Sequence, residues 1–299
     1  MEAPTHETFR RTGIAVALCA AIALTACQSS NHEGKFAATP TWEQDFTQTK
    51  KLDTTALKPN TDPNIPTYND EAQGYTNRSE NARVEDGSLV IEARKEPYKY
   101  PRANKTYDWT SARLESYDST NDRELPNGLT FEYGKIEATI KAPDTRGAWP
   151  AFWLLSANEP NSSKADVVPG REDDHYKKDG EIDVEWYGNR PNQVEATVFN
   201  YNGPKDGISQ TTPLTDIATS YHKYGIEVTP DHVRWTLDNK PYAQFDKKSN
   251  NPDDWPFGNG NRLYFILNVA MGGTGGGDID PETVDQRMLV KDVSFWQYE

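Results

Sequence analysis

The sequence predicts an all-β protein built as a β-sandwich or jelly roll. Short runs rich in β-branched and aromatic residues recur between turn residues, and no stretch shows a convincing 3.6-residue apolar period. Many short strands without helices are typical of single-domain sandwiches and jelly rolls. The length of 299 residues fits one large β domain or two small domains.

The predicted strands follow one another from the first third of the chain to its end. They cover residues 88–96, 133–143, 181–188, 193–201, 223–230, 232–245, 262–270 and 288–298. The residues "DNK" at 238–240 predict a hairpin turn inside one of these runs. Residues 156–179, rich in Pro, Ser, Asp and Lys, predict a long loop, and long loops in compact domains are often functional.

The N-terminus has the pattern of a targeting segment. Two arginines precede an apolar run that is too short to span a membrane as a mature helix. Small residues then lead to Cys27, as in the lipobox of bacterial lipoproteins, which this segment resembles. We therefore predict a signal peptide in residues 1–26, lipidation of Cys27, a polar tether in 27–40 and a globular domain in 41–299. A plain signal peptide cut near Ala26 is the alternative.

The same segment predicts where the protein resides. Gln28 after the cysteine resembles the outer-membrane sorting signal of Gram-negative lipoproteins. We expect the bacterial cell envelope, with a lipid anchor in the outer membrane, or secretion. Both cysteines, Cys19 and Cys27, lie in this region, so the mature domain contains no disulfide, Cys nucleophile or thiolate metal site.

Charge and aromatic content narrow the class of partner. The formal net charge is −14, which argues against a protein that binds nucleic-acid phosphates. The eight Trp and fifteen Tyr suit either a β core or platforms on which sugar rings stack.

The stretch "GEIDVEWYG", residues 180–188, places three carboxylates at alternating positions. In a strand Glu181, Asp183 and Glu185 share one face, while Ile182 and Val184 point to the other. Enzymes tolerate such repulsion where it keeps one acid protonated. Retaining glycosidases need this arrangement, with one carboxylate as nucleophile and one protonated acid. A solvated acidic strand is the other interpretation of the residues alone.

The retaining mechanism imposes a geometric condition on this row. Residues four apart on a strand are roughly 13 Å apart at the backbone. Retention requires carboxyl groups about 5–5.5 Å apart. The row therefore has to lie on the hollow face of a curved sheet.

The acid row resembles the Glu-x-Asp-x-Glu signature of glycoside hydrolase family 16. Residues 81–96, 133–155 and 263–273 resemble the laminarinase-like branch, in family order and spacing, and the resemblance covers residues 41–299. It implies a jelly-roll β-sandwich with a concave substrate cleft. It also implies retaining cleavage of β-linked polysaccharide, with no cofactor for catalysis and no partner besides the glycan and, through the anchor, the membrane.

The resemblance also assigns roles by position. Glu181 corresponds to the nucleophile, Asp183 to the assisting acid and Glu185 to the acid/base. Laminarinase-like members carry one extra residue before the last Glu, whereas only Val184 stands there in this chain, as in lichenases and plant xyloglucan-active enzymes. The strand at 198–203 also resembles lichenases, so the glucan linkage stays open.

Six further residues are candidates for contacting the substrate. They are Arg78, Trp149, Trp153, Trp186, Asn200 and Asn268. The tryptophans suit stacking on sugar rings, and the arginine and Asn268 match cleft positions of the family. The alternatives are core packing for the tryptophans, a surface ion pair for Arg78 and a turn cap for Asn268.

A structural Ca²⁺ is the one metal that the resemblance implies. Asp45, the backbone carbonyl of Gly87 and Asp292 match the family's site on the convex side. Hard oxygen ligands suit calcium, although they are also common on any acidic surface.

The sequence thus predicts a monomeric endo-β-glucanase that acts on β-1,3- or mixed β-1,3/1,4-glucan. Three alternatives stay open. An agarase- or carrageenase-like enzyme would use basic residues of the long loop, namely Arg171, His175, Lys177 and Lys178. A transglycosylase would share the chemistry but pass the sugar to another sugar. A non-catalytic glycan-binding envelope lipoprotein would have no use for the repelling acid row.

Overall fold

The computed structural model describes residues 34–61, 69–100, 105–157, 180–200, 202–204 and 207–299. The strands of these ranges are β1 (Trp42–Asp45), β2 (Lys58–Pro59), β3 (Gln73–Tyr75), β4 (Ala82–Glu85), β5 (Ser88–Tyr100), β6 (Lys105–Ser111), β7 (Arg113–Glu115), β8 (Tyr117–Asp118), β9 (Arg123–Glu124), β10 (Gly134–Lys141), β11 (Ala148–Ser156), β12 (Glu181–Glu185), β13 (Gln193–Phe199), β14 (Ile208–Pro213), β15 (His222–Val228), β16 (His232–Leu237), β17 (Lys240–Asp246), β18 (Leu263–Met271) and β19 (Gln286–Gln297). A single helical turn, α1 (Gly273–Gly276), follows β18.

Two large sheets organise the domain. The ten-stranded sheet has the order β17-β16-β15-β10-β19-β5-β6-β3, with β1 paired to β19 and β4 to β5. The seven-stranded sheet has the order β14-β13-β12-β11-β18-β7-β2. Neighbouring strands are antiparallel except β3 and β6. The predicted β-sandwich is therefore confirmed.

The hydrophobic core contains the apolar faces of both sheets. In β12 Ile182 and Val184 are fully buried, beside Phe152 of β11. Ile136 and Ile226 supply the ten-stranded sheet's side of the same cluster. Fully burying one such side chain stabilises the fold by about 1.5–3 kcal/mol, so the alternation of β12 is strongly fixed.

The strongly patterned runs became strands close to their predicted bounds. The run at 232–245 forms the hairpin β16–β17, and its turn residues Asp238 and Asn239 have φ values of 49° and 63°. Two consecutive left-handed residues are the geometry of tight hairpin turns. The predicted long loop begins after β11, but residues 158–179 lie outside the described part of the chain.

Backbone hydrogen bonds join part of the predicted tether to the end of the chain. The Lys35 backbone N–H donates to the carbonyl of Glu299 at 2.9 Å, and that of Ala37 to the carbonyl of Gln297 at 2.8 Å. The Phe36 ring contacts Tyr298 edge-on with centroids 5.4 Å apart. Residues 35–37 thus pair with the last residues of the chain, within the segment predicted as a tether. The polar composition of this segment did not indicate the pairing, because backbone hydrogen bonds do not depend on the side chains.

The signal peptide and Cys27 lie outside the described residues. From residue 34 onward, no helix in the described ranges is long and apolar enough to cross a membrane.

The three residues predicted to bind calcium do not form a site. The carbonyl of Gly87 accepts a hydrogen bond from Lys291 Nζ at 3.1 Å. Lys291 is the residue skipped where the pairing of β19 with β10 shifts register, so a bulge directs it there. Asp45 Oδ1 accepts from its neighbour Thr47, and Asp292 Oδ1 from Thr139.

An ammonium group therefore takes the carbonyl that a calcium ion would need. Within the described ranges no cluster of three or more His, Cys, Asp or Glu is arranged to hold a metal ion. Burial and the nearby charges of Asp45 and Glu43 raise the pKa of Asp292. The residues do not fit the calcium site that the resemblance implied.

The pairing of residues 34–40 predicts a measurable stability difference. A variant beginning at Thr41 should be about 1–3 kcal/mol less stable than one beginning at Gly34, because several backbone hydrogen bonds are lost. Urea unfolding followed by tryptophan fluorescence measures the difference. Equal midpoints would support the boundary at residue 41.

The Lys291 contact predicts indifference to calcium. The thermal midpoint should be the same in excess Ca²⁺ and in EDTA. Lys291→Met should cost about 1 kcal/mol by loss of the carbonyl contact. Lys141→Met is the matched control, because both ammonium groups lie over the Tyr221 ring, at 5.1 Å and 5.3 Å. A midpoint that rises with calcium in the unmodified protein would contradict this account.

Candidate active site

The acid row lies in the middle of the seven-stranded sheet. β12 pairs with β11 on one side and β13 on the other, and the register is continuous from Glu181 to Glu185. The strand therefore has no bulge, as the single residue between Asp183 and Glu185 predicted. Continuous pairing keeps the three carboxylates on the face opposite Ile182 and Val184.

The three carboxylates open into one pocket on that face. The pocket is lined by Asn69, Glu71, Trp149, Ala151, Trp153, Glu181, Asp183, Glu185, Asn268 and Ala270. Its walls come from β11, β12 and β18 and from the segment before β3. The row thus lines a pocket and is not a solvated strand face.

Each carboxylate oxygen of Glu185 accepts a hydrogen bond from an aromatic side chain. Trp149 Nε1 donates to Oε1 at 2.8 Å, and the Tyr187 hydroxyl donates to Oε2. Burial raises the pKa of Glu185 to about 7, although both hydrogen bonds act to lower it. At neutral pH this carboxyl is therefore poised between acid and base.

Asp183 is buried between its two acidic neighbours. It is 3% exposed, and burial followed by the charges of Glu181 and Glu185 raises its pKa well above the usual range. Its backbone carbonyl accepts a hydrogen bond of 2.9 Å from Trp235 Nε1 of β16, in the other sheet. A protonated Asp183 has an O–H to donate to a neighbouring carboxylate.

Trp153 and Asn268 form the wall on the β18 side. Trp153 Nε1 donates to Asn268 Oδ1 at 2.8 Å, and the Asn268 amide donates to the Tyr75 hydroxyl at 3.1 Å. The Arg113 guanidinium lies 4.7 Å from the Trp153 ring centroid. Both predicted residues therefore line the pocket, and their contacts with a sugar stay a prediction.

Trp149 lines the pocket and contacts the acid row directly, through its hydrogen bond to Glu185. Its ring stacks on Tyr187 with centroids 5.8 Å apart and planes inclined at 27°. Gly275 approaches the ring so closely that a Cβ atom there would lie 2.3 Å from Trp149 Cε2. The glycine-rich segment after β18 is thus required for packing against this indole, and the predicted stacking on sugar stays untested.

Two predicted substrate contacts are corrected by the structure. Trp186 is 1% exposed and packs edge-on against Tyr224 in the core, because it continues the face of Ile182 and Val184. Asn200 continues the core face of β13, and its amide donates to the backbone carbonyl of Asp254 at 2.7 Å. Neither side chain faces the pocket, so core packing and loop anchoring replace the sugar contacts.

Arg78 takes part in a local ion pair. Its Nη2 donates to Glu96 and, at 3.0 Å, to Asn81 and Thr110, and its guanidinium lies 4.9 Å from the Tyr98 centroid. The arginine is not among the residues that line the acid pocket. These contacts agree with the alternative that the sequence left open for Arg78, a surface ion pair.

Three residues beside Glu185 were not identified from the sequence. They are Tyr187, Arg190 and Glu195. The signal was present in "QVEATVF", where Glu195 alternates with Thr197 on one face of β13. Its position opposite Glu185 depends on the register, which a single sequence does not reveal.

The chain is similar to known glycoside hydrolases. A family model of the glycosyl hydrolases family 16 matches residues 69–283. A β-glucanase of Rhodothermus marinus is 33% identical over 244 residues, which are 77% of this chain and 75% of that protein. An endo-1,3-1,4-β-glycanase of Rhizobium meliloti is 31% identical over 222 residues, 72% of this chain and 40% of that protein.

Solved structures agree with the sequence relatives. The laminarinase of Rhodothermus marinus superimposes with a TM-score of 0.73 at 27% identity, covering 89% of this chain and 99% of that one. The jelly-roll class of the predicted sandwich is confirmed by this likeness. With the fold, the acid row and the family model in agreement, the chain belongs to glycoside hydrolase family 16.

Proposed function

We propose that this hydrolase cleaves β-glucan within the chain and with retention, using Glu181 as nucleophile and Glu185 as acid/base. The observation that carries the proposal is the convergence of three carboxyls in one pocket, one of them with a pKa of about 7. Retaining chemistry needs one ionised and one protonated carboxyl at the same pH, and different surroundings separate the two.

In the first step a Glu181 oxygen attacks the anomeric carbon. The bond from this carbon to the leaving oxygen breaks, and the Glu185 proton moves to that oxygen. The products are a glycosyl ester on Glu181, an ionised Glu185 and a shortened glucan with a free hydroxyl.

In the second step Glu185 acts as a base. Esterification removes the charge of Glu181, so the pKa of Glu185 falls and its carboxylate accepts a proton from water. The oxygen of that water forms a bond to the anomeric carbon, and the ester bond breaks. Two displacements at one carbon retain its configuration and return Glu181 as a carboxylate.

Asp183 assists by holding the nucleophile. Its raised pKa keeps a proton available, and a hydrogen bond donated to Glu181 orients the attacking oxygen. Two ionised carboxylates about 7 Å apart repel by roughly 2 kcal/mol at an effective dielectric constant of about 20. Protonation of the middle acid removes this repulsion on both sides.

For the substrate we propose β-1,3- or mixed β-1,3/1,4-glucan. The relatives named above are a β-glucanase, an endo-1,3-1,4-β-glycanase and a laminarinase. Trp153 and Asn268 supply an aromatic face and an amide in the pocket wall. Release of reducing ends from laminarin, lichenan, agarose and carrageenan discriminates this proposal from galactan hydrolysis, and product analysis discriminates it from transglycosylation.

Separate alanine variants should reveal the two roles. Glu181→Ala should abolish turnover of glucan, and Glu185→Ala should lose about 10²–10⁴-fold because the leaving oxygen is no longer protonated. On an aryl glycoside with a good leaving group, the first step of Glu185→Ala should lose less. Azide should give a β-glycosyl azide with Glu185→Ala and the α-azide with Glu181→Ala, which proton NMR identifies.

Ser79→Ala is a control variant in an exposed turn away from the pocket and should retain full activity. Inverted products from the unmodified enzyme would contradict the assignment. Substantial glucan hydrolysis by both alanine variants at the acid row would do the same.

We also propose that the enzyme is anchored to the cell envelope, in the outer membrane, through Cys27. The support is the apolar run with small residues before that cysteine. Mass spectrometry of membrane-extracted protein should find a diacylglycerol thioether on Cys27, and Cys27→Ser should move the enzyme to the soluble fraction. An unmodified soluble protein would contradict the proposal.

A further inference from the structure

The acid/base candidate is enclosed by a small network outside the acid row. The network consists of Tyr187, Arg190 and Glu195. Tyr187 follows the end of β12 and donates its hydroxyl proton to Glu185 Oε2. The same tyrosine stacks on Trp149, which donates to the other oxygen of Glu185. Both carboxylate oxygens are therefore held by one pair of stacked rings.

Arg190 secures this tyrosine in two ways. Its backbone N–H donates to the Tyr187 carbonyl at 2.8 Å and closes the turn after β12. Its guanidinium lies 4.1 Å from the centre of the Tyr187 ring. A cation at this distance over an aromatic face is attracted to the ring. The orientation of the phenol thus depends on where the guanidinium is held.

Glu195 holds the guanidinium. Arg190 Nη1 donates to Glu195 Oε2 at 2.7 Å, and Glu195 is 6% exposed. The register of β12 and β13 places Glu195 directly opposite Glu185. A nearly buried carboxylate is costly unless it is paired, so the ion pair is needed where the sheet brings two acids together.

The charges around Glu185 come from a limited set of elements. Its own strand contributes Glu181 and Asp183, β13 contributes Glu195, the turn contributes Tyr187 and Arg190, and Glu71 lines the same pocket. The facing residues of β11 and β18 in the pocket wall are uncharged. Arg190 and Glu195 both lie outside the strand of Glu185, and their charges act on the pKa of Glu185 in opposite directions: Arg190 lowers it and Glu195 raises it.

We propose that Arg190 and Glu195 are positioning residues for the acid/base, holding Tyr187 on Glu185 and balancing the charge at that carboxyl. The inference rests on the proposed role of Glu185. Arg190 does not line the pocket, so it acts through Tyr187 and Glu195 rather than by touching substrate. Its side chain is about half exposed, so its replacement leaves the core intact.

The pH profile of kcat/KM on laminarin tests the charge balance. Activity should fall as pH rises through the pKa of Glu185, because the protonated acid is lost. Arg190→Met removes a cation that favours the carboxylate, so this alkaline limb should move up by about one pH unit. Glu195→Gln removes an anion, so the limb should move down by a similar amount, and the double variant should lie near the unmodified enzyme.

Kinetic constants test the positioning. Arg190→Met and Tyr187→Phe should lower kcat about tenfold with little change in KM, because the acid is misplaced while the pocket wall is unchanged. Arg190→Lys should return the alkaline limb to its position in the unmodified enzyme, because it keeps the positive charge. Arg234→Met is the matched control, because it breaks a similar arginine–glutamate pair with Glu227 in the ten-stranded sheet. In Arg234→Met neither the alkaline limb of the kcat/KM profile nor kcat should change.

Failure of the inference is distinct from failure of the proposed function. An unmodified enzyme that is inactive on glucan, or that inverts, overturns the proposed function. An active, retaining enzyme whose alkaline limb is unmoved in Glu195→Gln overturns the network alone. Glu195→Gln is close to isosteric and still accepts from Arg190, so it decides the question even if Arg190→Met folds poorly.

Discussion

The alternation of side chains along β12 is the constraint on which the rest of the site depends. Burial of Ile182 and Val184 contributes about 3–6 kcal/mol together. Repulsion between neighbouring ionised acids is about 2 kcal/mol for each pair. Hydrophobic burial therefore decides which way the strand faces, and the acids follow to the opposite side because the period of a strand is two.

Once the acids face one pocket, the local donors determine which of them is charged. Burial raises the pKa values of Asp183 and Glu185, and the rings of Trp149 and Tyr187 donate hydrogen bonds to Glu185. These donors compensate part of the desolvation cost of its carboxylate, so its pKa stops near 7. Within the described part of the chain no aromatic side chain donates to the carboxyl of Asp183, and protonation is the cheaper way to remove its charge. One strand thus presents carboxyls in different states at one pH.

Features that depend on residues close together in the sequence could be predicted from it, whereas contacts between distant residues could not. The strand runs, the hairpin at Asp238 and the common face of the acid row follow from local patterns, and the structure confirms them. The position of Trp186 could also have been predicted from the sequence. Trp186 directly follows Glu185, so in a regular strand it lies on the face of Ile182 and Val184 and not on the face of the acids. Its core position follows from the same alternation that fixed Ile182. The pairings of Glu195 with Glu185 and of Lys291 with the Gly87 carbonyl depend on register and on a bulge, which one sequence does not specify.

The same distinction separates the acid row from the residues that surround it. Three acids at strand spacing are enough to place a nucleophile and an acid on one face. The pKa at which the acid works depends on residues from neighbouring elements, such as Trp149 of β11 and Glu195 of β13, which reach Glu185 only in the folded sheet. On the proposed role of Glu185, changes at those positions would alter the working pH without altering the acid row. In this fold the acid row is therefore specified by a short stretch of sequence, whereas the pKa of Glu185 is determined by tertiary packing.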